Sequence, residues 1–387
     1  MRDFGRLYRY EFKKLVSRKT NAITLIICIS LYLLTCVMGT FNVDEVDINY
    51  AKALDGRAID QKLLEETVEA YGKIPAGLDN YIISDEYQTY ARPYSPIFNY
   101  ILQHGGMNKS EIVNWDVDEN ELYRQSREKR MALYDLYRLR DDEIEYWENQ
   151  VAEKGEPVEF RYAEGWNEIL TEHISAGFIL MFGLTVCLAG IFSEENNKRT
   201  DALILSSVHG RTKIYWAKIW AGISLAVLTA VVVSVITIPI TLGAFGAGGF
   251  SADLDLLYPY PGNITAGEMV IVAELCILVS VVFCGVFAML LSLCIRNSTA
   301  SLGCSAAILV LGTMLYMPPK NRALSQISLI FPGTFISQWK ITDVKLIEVF
   351  GHYFRSYEFV PLLYILLCAL IVISGKFIHE KMQVKSR

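Results

Sequence analysis

Long apolar stretches alternate with polar segments along this 387-residue chain. Each apolar stretch holds roughly 17 to 25 residues, the length that a helix needs to cross the hydrocarbon core of a bilayer. A helix also satisfies its own backbone hydrogen bonds inside the membrane. The fifth stretch is the shortest and is followed by Pro318 and Pro319, so a broken or shallow helix is the alternative there. The pattern predicts six transmembrane helices, at residues 22–41, 174–192, 219–242, 269–293, 300–317 and 359–378.

A strongly acidic block separates the first two apolar stretches. Residues 42–173 hold 29 of the 42 acidic residues of the chain but only 14 of its 36 basic ones. Such a region repels phosphate, which excludes nucleic acid as a partner. Hydrophobic residues make up 52% of the chain and charged residues only 20%, so a uniformly soluble globule is excluded as well.

Basic residues outside this block predict the orientation. They concentrate in the segments 1–21, 193–218, 294–299 and 379–387. Under the positive-inside rule these four segments face the cytoplasm, so both termini are cytoplasmic. The acidic block and the segments 243–268 and 318–358 are then external, and the last of these is long enough for re-entrant helices. It also holds five basic residues, but a loop of that length contributes less to orientation than a short one.

The segment 1–21 predicts an amphipathic helix on the inner membrane surface. Its apolar residues recur at steps of three and four, with arginines and lysines around the rest of the helix. The alternative is a positively charged flank without fixed structure. The apolar residues are Phe4, Leu7, Tyr8, Phe12, Leu15 and Val16.

The acidic block predicts a large, mainly helical extracytoplasmic domain. Residues 118–154 contain no proline or glycine and repeat apolar side chains at helical spacing, which predicts one long amphipathic helix. Residues 50–71 predict a shorter helix, and residues 72–106 predict an irregular connection. The twelve tyrosines of the block suit either the core of a small domain or a ligand surface. The block contains no cysteine, so disulfide bonds do not stabilise this domain.

The chain lacks the sequence motifs of catalytic sites. It contains no phosphate-binding loop, no zinc-protease helix, no serine-hydrolase turn and no C-x-x-C pair. Its five histidines are scattered without metal-ligand spacing. We therefore expect no catalysis and no cofactor in this chain. Any ATP that drives it is expected to be bound, with magnesium, by another polypeptide.

The composition of the internal loop 193–218 is typical of a short helix that binds to another protein. Thr200 can cap a short helix, Asp201 suits the positive end of the helix dipole, and Gly210 can close the helix before Arg211. A short apolar helix with charged flanks is normally covered by a partner, although folding back onto the lipid interface is the alternative. The apolar residues of this helix are Leu203, Ile204, Leu205 and Val208.

This loop resembles the coupling region of ABC-2 type transporter permeases. In that region an acidic residue, a threonine followed by an acid, a leucine-rich stretch and a serine lead to a basic residue and then to a lysine at the start of the third membrane helix. The basic N-terminal helix, the insert after the first membrane helix and residues 331–335 before the sixth agree with the family in position. Ser207 and Lys198-Arg199 depart from it, since proline and glycine are common there. The matching residues are Glu195, Thr200, Asp201, Leu203, Leu205, Ser206, Arg211 and Lys218.

The resemblance implies a membrane subunit of an ATP-driven exporter in the plasma membrane of a bacterium. Two such subunits, identical or paralogous, would pair with two copies of a cytoplasmic ABC ATPase. The exported substrate would be hydrophobic or amphipathic: a drug, a lipid or an antimicrobial peptide. The residues expected to couple to the ATPase are Glu194, Glu195, Thr200, Asp201, Leu203, Ile204, Leu205, Val208 and Arg211.

One carboxylate lies within an apolar stretch. Glu274 follows residues 269–273 and is roughly 8 Å from the outer end of the fourth predicted helix, at about 1.5 Å per residue. Intramembrane carboxylates are costly and often functional. Solvation by lipid headgroups and contact with a substrate both remain open for Glu274.

A different class of function competes with transport. A membrane receptor or scaffold could sense through the external domain and signal to a cytoplasmic partner without moving a substrate. Six spans exceed what such a sensor needs, and the loop 193–218 favours a transporter.

Overall fold

The computed structural model describes residues 2–75, 81–198, 200, 212–314 and 321–381, most of which are helical. Short turns of 3-10 or π helix lie at residues 39–42, 81–83, 87–94 and 254–256. A two-stranded antiparallel sheet consists of β1 Ile347–Val349 and β2 His352–Phe354. The α-helices are α1 Arg2–Ser17, α2 Lys19–Met38, α3 Glu45–Leu54, α4 Gln61–Gly72, α5 Ser95–Gly105, α6 Lys109–Val113, α7 Glu119–Tyr137, α8 Asp141–Lys154, α9 Glu164–Leu188, α10 Ser193–Asn197, α11 Lys213–Phe245, α12 Ala266–Ile295, α13 Ser298–Met314, α14 Arg322–Ser328, α15 Pro332–Phe335, α16 Gln338–Ile341 and α17 Ser356–Glu380.

Among the described residues, five helices are long and apolar enough to cross a membrane, which confirms the predicted class of helical multi-pass membrane protein. Helix α13 covers the fifth predicted stretch and has 17 residues in the described part of the chain. At about 1.5 Å per residue it is shorter than a bilayer core of about 30 Å. The β1–β2 hairpin is a departure from the all-helical expectation. The five long spans are Lys19–Phe41, Glu164–Asn197, Lys213–Phe245, Ala266–Ile295 and Ser356–Glu380.

Helix α12 is the central helix of the bundle and contacts α9, α11, α13 and α17. Glycines allow two of these contacts to be close. A Cβ atom added at Gly222 of α11 would lie 2.5 Å from the sulfur of Met289, and one added at Gly285 would lie 2.8 Å from Leu188. Small residues bring membrane helices together in this way because lipid offers no hydrophobic drive for their association.

The N-terminal segment forms the helix α1, which packs along the first turns of α11. The hydroxyl of Tyr8 donates to Ser224 Oγ at 2.9 Å, and Leu15 is buried. Tyr10 and Val16 remain exposed. A helix thus occupies residues 2–17 of the predicted segment 1–21, residues 19–21 belong to α2, and the position of α1 on a membrane surface stays a prediction.

The predicted single helix over residues 118–154 is wrong, because α7 and α8 are separate helices. Arg138 adopts a left-handed conformation with φ of 53°, and the α8 capping box then joins Arg140 to Glu143. A left-handed residue that is not glycine costs about 1 kcal/mol, so contacts made by the rest of the fold must stabilise the break. The burial of Glu143, described below, supplies such contacts.

The predicted irregular connection over residues 72–106 is only partly correct. Short turns occupy residues 81–94, but a regular helix, α5, follows them. Pro96 lies in its first turn, where a proline is tolerated, and Gly106 ends it with φ of 70°. Together with α4, α5 supplies much of the core of the polar domain, which we define as residues 42–163. Five of the eleven tyrosines whose side chains are described in this domain are buried: Tyr71, Tyr100, Tyr123, Tyr134 and Tyr162.

The polar domain sits on one end of the helix bundle. Tyr162 donates through its hydroxyl to the carbonyl oxygen of Phe245 at 2.9 Å, and Lys154 pairs with Asp253 at 2.9 Å. The indole nitrogen of Trp147 in α8 donates to the carbonyl oxygen of Val344 at 2.7 Å. These contacts place the connections α11–α12 and α13–α17 at the same end as the polar domain.

Candidate functional site

The end of the bundle opposite the polar domain brings together four connecting segments. The end of α1, helix α10, the start of α11 and the turn between α12 and α13 contact one another there. The positive-inside pattern predicts that these segments share one side of the membrane. The described part of the loop 193–218 lies among them.

A buried ion pair lies at the centre of this end. Lys218 of α11 is fully buried, and its Nζ lies 2.6 Å from Oε1 of Glu195 in α10. The same Nζ donates to the carbonyl oxygen of Ile191 at 3.0 Å and lies 5.0 Å from the centre of the Phe192 ring. A buried lysine is costly unless its N–H donors are satisfied, and these contacts satisfy them. Lys218 thereby fixes α11 to α10.

Two residues near the N-terminus extend this pair into an ion network. Nζ of Lys14 in α1 lies 3.2 Å from the same oxygen of Glu195, and Arg18, between α1 and α2, pairs with Glu194. We call Lys14, Arg18, Glu194, Glu195 and Lys218 the anchoring network. The side chains of the network are at most 27% exposed, so dissolved salt weakens these ion pairs less than it weakens ion pairs on the surface.

Hydrogen bonds tie α10 to the turn between α12 and α13. Asn196 donates from Nδ2 to the carbonyl oxygen of Arg296 at 2.8 Å. Asn197 donates from Nδ2 to Ser298 Oγ at 3.0 Å, and Ser193 Oγ lies 3.0 Å from the same hydroxyl. With the anchoring network, these bonds connect α10 to α1, α11, α12 and α13. A displacement of α10 would therefore displace several membrane helices together.

The structure describes only the base of the predicted coupling loop. Glu194 and Glu195 belong to the anchoring network, and Thr200 donates its backbone amide to the carbonyl oxygen of Glu195 at 2.9 Å. Thr200 therefore closes α10, and its role as a cap for a following helix stays a prediction. The other predicted coupling residues lie outside the described residues: Asp201, Leu203, Ile204, Leu205, Val208 and Arg211.

Glu274 belongs to a second group of polar side chains, within the bundle. Its Oε1 is hydrogen-bonded to Nδ1 of His173 in α9, and its Oε2 accepts from Ser234 Oγ of α11 at 2.6 Å. The ring of Tyr32 in α2 meets the imidazole edge-on, with 5.7 Å between ring centres. We call Tyr32, His173, Ser234 and Glu274 the polar cluster. The hydrogen bonds to His173 and Ser234 thus help to solvate the carboxylate of Glu274 inside the bundle.

The basic residues of the segment 321–358 have partners at the other end of the bundle. Both Nη atoms of Arg322 donate to the carboxylate oxygens of Glu143 in α8, at 2.5 and 2.6 Å. Arg355 donates to Gln150 Oε1 at 2.9 Å and to Tyr146 Oη at 3.1 Å. These pairings hold α8 against the segment and neutralise part of its positive charge.

Sequence reasoning missed His173 and Ser234. The second predicted span begins at residue 174, because the acidic residues before it lower the average hydrophobicity. The helix itself begins at Glu164 and carries His173 inside it. The absence of proline between Glu164 and His173 was the signal that could have extended the predicted helix. Nothing in the sequence around Ser234 distinguishes it from other serines in membrane helices.

The fold and the contacts of α10 define a multi-pass membrane protein in which ion pairs and hydrogen bonds hold the start of the connection between α9 and α11. The family model described as ABC-2 family transporter protein matches residues 42–375. The chain therefore belongs to the ABC-2 family and is a permease subunit of an ABC transporter, not itself a catalyst. Membership implies association with an ABC ATPase and with the membrane. No curated protein and no solved structure matches the chain.

Proposed function

We propose that this chain is the membrane-spanning permease of an ATP-driven exporter. In this proposal six helices span the plasma membrane of a bacterium, with α13 as the fifth, both termini in the cytoplasm and the polar domain outside. Two permease subunits, identical or paralogous, combine with two ATPase subunits that bind ATP and magnesium. Closure of the ATPase dimer pushes on the loop 193–218 and moves the attached helices.

The anchoring network is the observation that carries this proposal. Transmission of a mechanical displacement needs a rigid connection between the docking element and the membrane helices. Glu195 supplies one, since the same oxygen pairs with Lys14 of α1 and Lys218 of α11. A loop without such contacts would absorb the displacement. Residues 201–211, which connect Thr200 to α11, are then the place where the ATPase docks.

An apolar cavity supports a hydrophobic or amphipathic substrate. It lies where α15 packs against α12 and α13, and its lining is almost entirely apolar. Phe283 and Phe287 of α12, Leu309 of α13, and Ile330 and Phe331 form much of its wall. A drug, a lipid or the apolar face of a peptide would be compatible with such a lining.

Replacing both Leu203 and Leu205 by aspartate is expected to abolish coupling. Two charges on the apolar side of the docking helix would prevent its burial in a groove of the ATPase. The wild-type chain, purified from its native membrane at low detergent, should retain a nucleotide-binding partner, and the double variant should lose it. Transport by the variant should fall to the background rate.

The matched control is Leu136→Asp, which makes one leucine-to-aspartate substitution at an exposed position of α7 in the polar domain. It should leave partner binding and transport unchanged. The coupling assignment is wrong if no ATPase accompanies the wild-type chain and the double variant transports normally.

The receptor or scaffold function is distinguished by ATP hydrolysis in reconstituted vesicles. A transporter's ATPase is expected to hydrolyse ATP faster when the transported substrate is added. A sensor that moves no substrate would show no such stimulation.

A further inference from the structure

The carboxylate of Glu274 has hydrogen-bond acceptor positions that the polar cluster does not fill. A carboxylate offers about four acceptor positions, and Glu274 uses two of them for His173 and Ser234. The carboxylate is therefore suited to a ligand that brings N–H donors.

The stretches of sequence that form the cluster contain no permanent positive charge. Residues 21–51, 162–197 and 219–295 include no lysine and no arginine. His173 is the only side chain in these three stretches that can become a cation at neutral pH. A carboxylate in a membrane segment is costly without a cationic partner. A cationic ligand would meet this need without competing against a lysine or an arginine.

The carboxylate of Glu274 is reached from the lipid-facing side of the bundle. Its side chain is 19% exposed, whereas that of His173 is 1% exposed. Ile271 and Leu275, its neighbours on α12, are more than half exposed, as is Val235 next to Ser234 on α11. In a membrane such apolar side chains face the acyl chains. A ligand therefore reaches Glu274 laterally, between α11 and α12, and must itself be soluble in the bilayer.

We propose that the polar cluster binds the protonated primary amine of an amphipathic molecule that arrives from the bilayer. The ammonium group donates to the acceptor positions of Glu274 that His173 and Ser234 leave unused. This inference rests on the proposed function in one respect, since the amphiphile would be the transported molecule. The same chemistry occurs in a free cationic amphiphile and in the headgroup of phosphatidylethanolamine.

Binding of radiolabelled dodecylamine tests the site on the full-length chain in phosphatidylcholine nanodiscs, with empty nanodiscs as the background. We expect saturable binding that Glu274→Gln weakens about tenfold, which corresponds to the loss of a charge-assisted hydrogen bond. Glu274→Asp retains the charge and should bind more tightly than Glu274→Gln. The matched control is Glu172→Gln, which removes an acidic residue of α9 outside the cluster and should leave binding within a factor of about two.

Competitors define the chemistry and the source of the ligand. Dodecanol, which is neutral, should not compete, and dodecyltrimethylammonium, which has no N–H donor, should compete more weakly than dodecylamine. Competition by phosphatidylethanolamine in the nanodisc supports the lipid headgroup as the natural occupant, and its absence supports a free amphiphile. The proposal is overturned if binding does not saturate, if dodecanol competes equally, or if folded Glu274→Gln, verified by its melting temperature, binds like the wild type.

This measurement needs no ATPase. Binding of dodecylamine to a chain that retains no ATPase would leave the amine site intact while the proposed function failed. A functional exporter that shows no saturable amine binding would support the proposed function and overturn the amine site.

Discussion

Replacing Lys218 by methionine is expected to lower the free energy of unfolding by about 3–5 kcal/mol, because it leaves the carboxylate of Glu195 largely buried without its closest cation. The volume of the side chain is nearly conserved, so the loss reports the charge and its hydrogen bonds. Lys14, at 3.2 Å, would become the nearest remaining partner of Glu195. Chemical unfolding in detergent micelles, followed by tryptophan fluorescence, measures the change.

Two further variants separate the ion pair from a general effect of losing a lysine. Lys198→Met removes an exposed lysine close to the same loop and is expected to change stability by less than about 0.5 kcal/mol. Combining Lys218→Met with Glu195→Gln removes both charges and should restore part of the lost stability. Equal losses of unfolding free energy in Lys218→Met and Lys198→Met would show that the pair of Lys218 with Glu195 does not stabilise the fold.

Replacing Glu143 by glutamine is expected to cost a similar amount, about 3–5 kcal/mol, and to release the segment 321–346 from α8. The side chain is fully buried and accepts hydrogen bonds from Arg322 and from the backbone amide of Leu346, the latter at 3.0 Å. The variant leaves the guanidinium of Arg322 without its anionic partner. Hydrogen exchange at the amide of Leu346 should accelerate strongly in the variant.

Glu121→Gln is the matched control for this variant. Glu121 pairs with Arg124 on an exposed face of α7, so its replacement should leave both stability and the exchange of Leu346 nearly unchanged. Unchanged exchange in Glu143→Gln would show that the pair with Arg322 does not hold α8 against the segment.

The contribution of Glu143 to stability should depend on pH. Burial raises the pKa of this carboxyl group, but Arg322 and the amides of Arg140 and Leu346 outweigh burial, so the pKa lies below its ordinary value of 4.5. A carboxyl group with a lowered pKa in the folded state stabilises the fold above its unfolded pKa, and this contribution is lost as the pH falls through the folded pKa. Wild type and Glu143→Gln should therefore differ most at neutral pH and converge in acid.

Local patterns predicted the five long apolar helices among the described residues but missed the break in the polar domain. A membrane helix must be apolar along its whole length, so composition alone reveals it. The break between α7 and α8 lacks a glycine or a proline and arises where Arg138 takes the left-handed conformation. It follows from the burial of Glu143 against a segment that lies almost 180 residues later in the chain. No local periodicity encodes such a contact.

The sequence by itself determined which segments are long and apolar enough for a bilayer, where acidic and basic residues concentrate, and which loop carries the family's coupling pattern. These properties depend only on the order of side chains along the chain. The tertiary structure decided which charges meet: Glu195 with Lys14 and Lys218, and Glu274 with His173. Those pairings depend on how the helices rotate and pack, since a charge inside a bundle is stable only where another element supplies its partner.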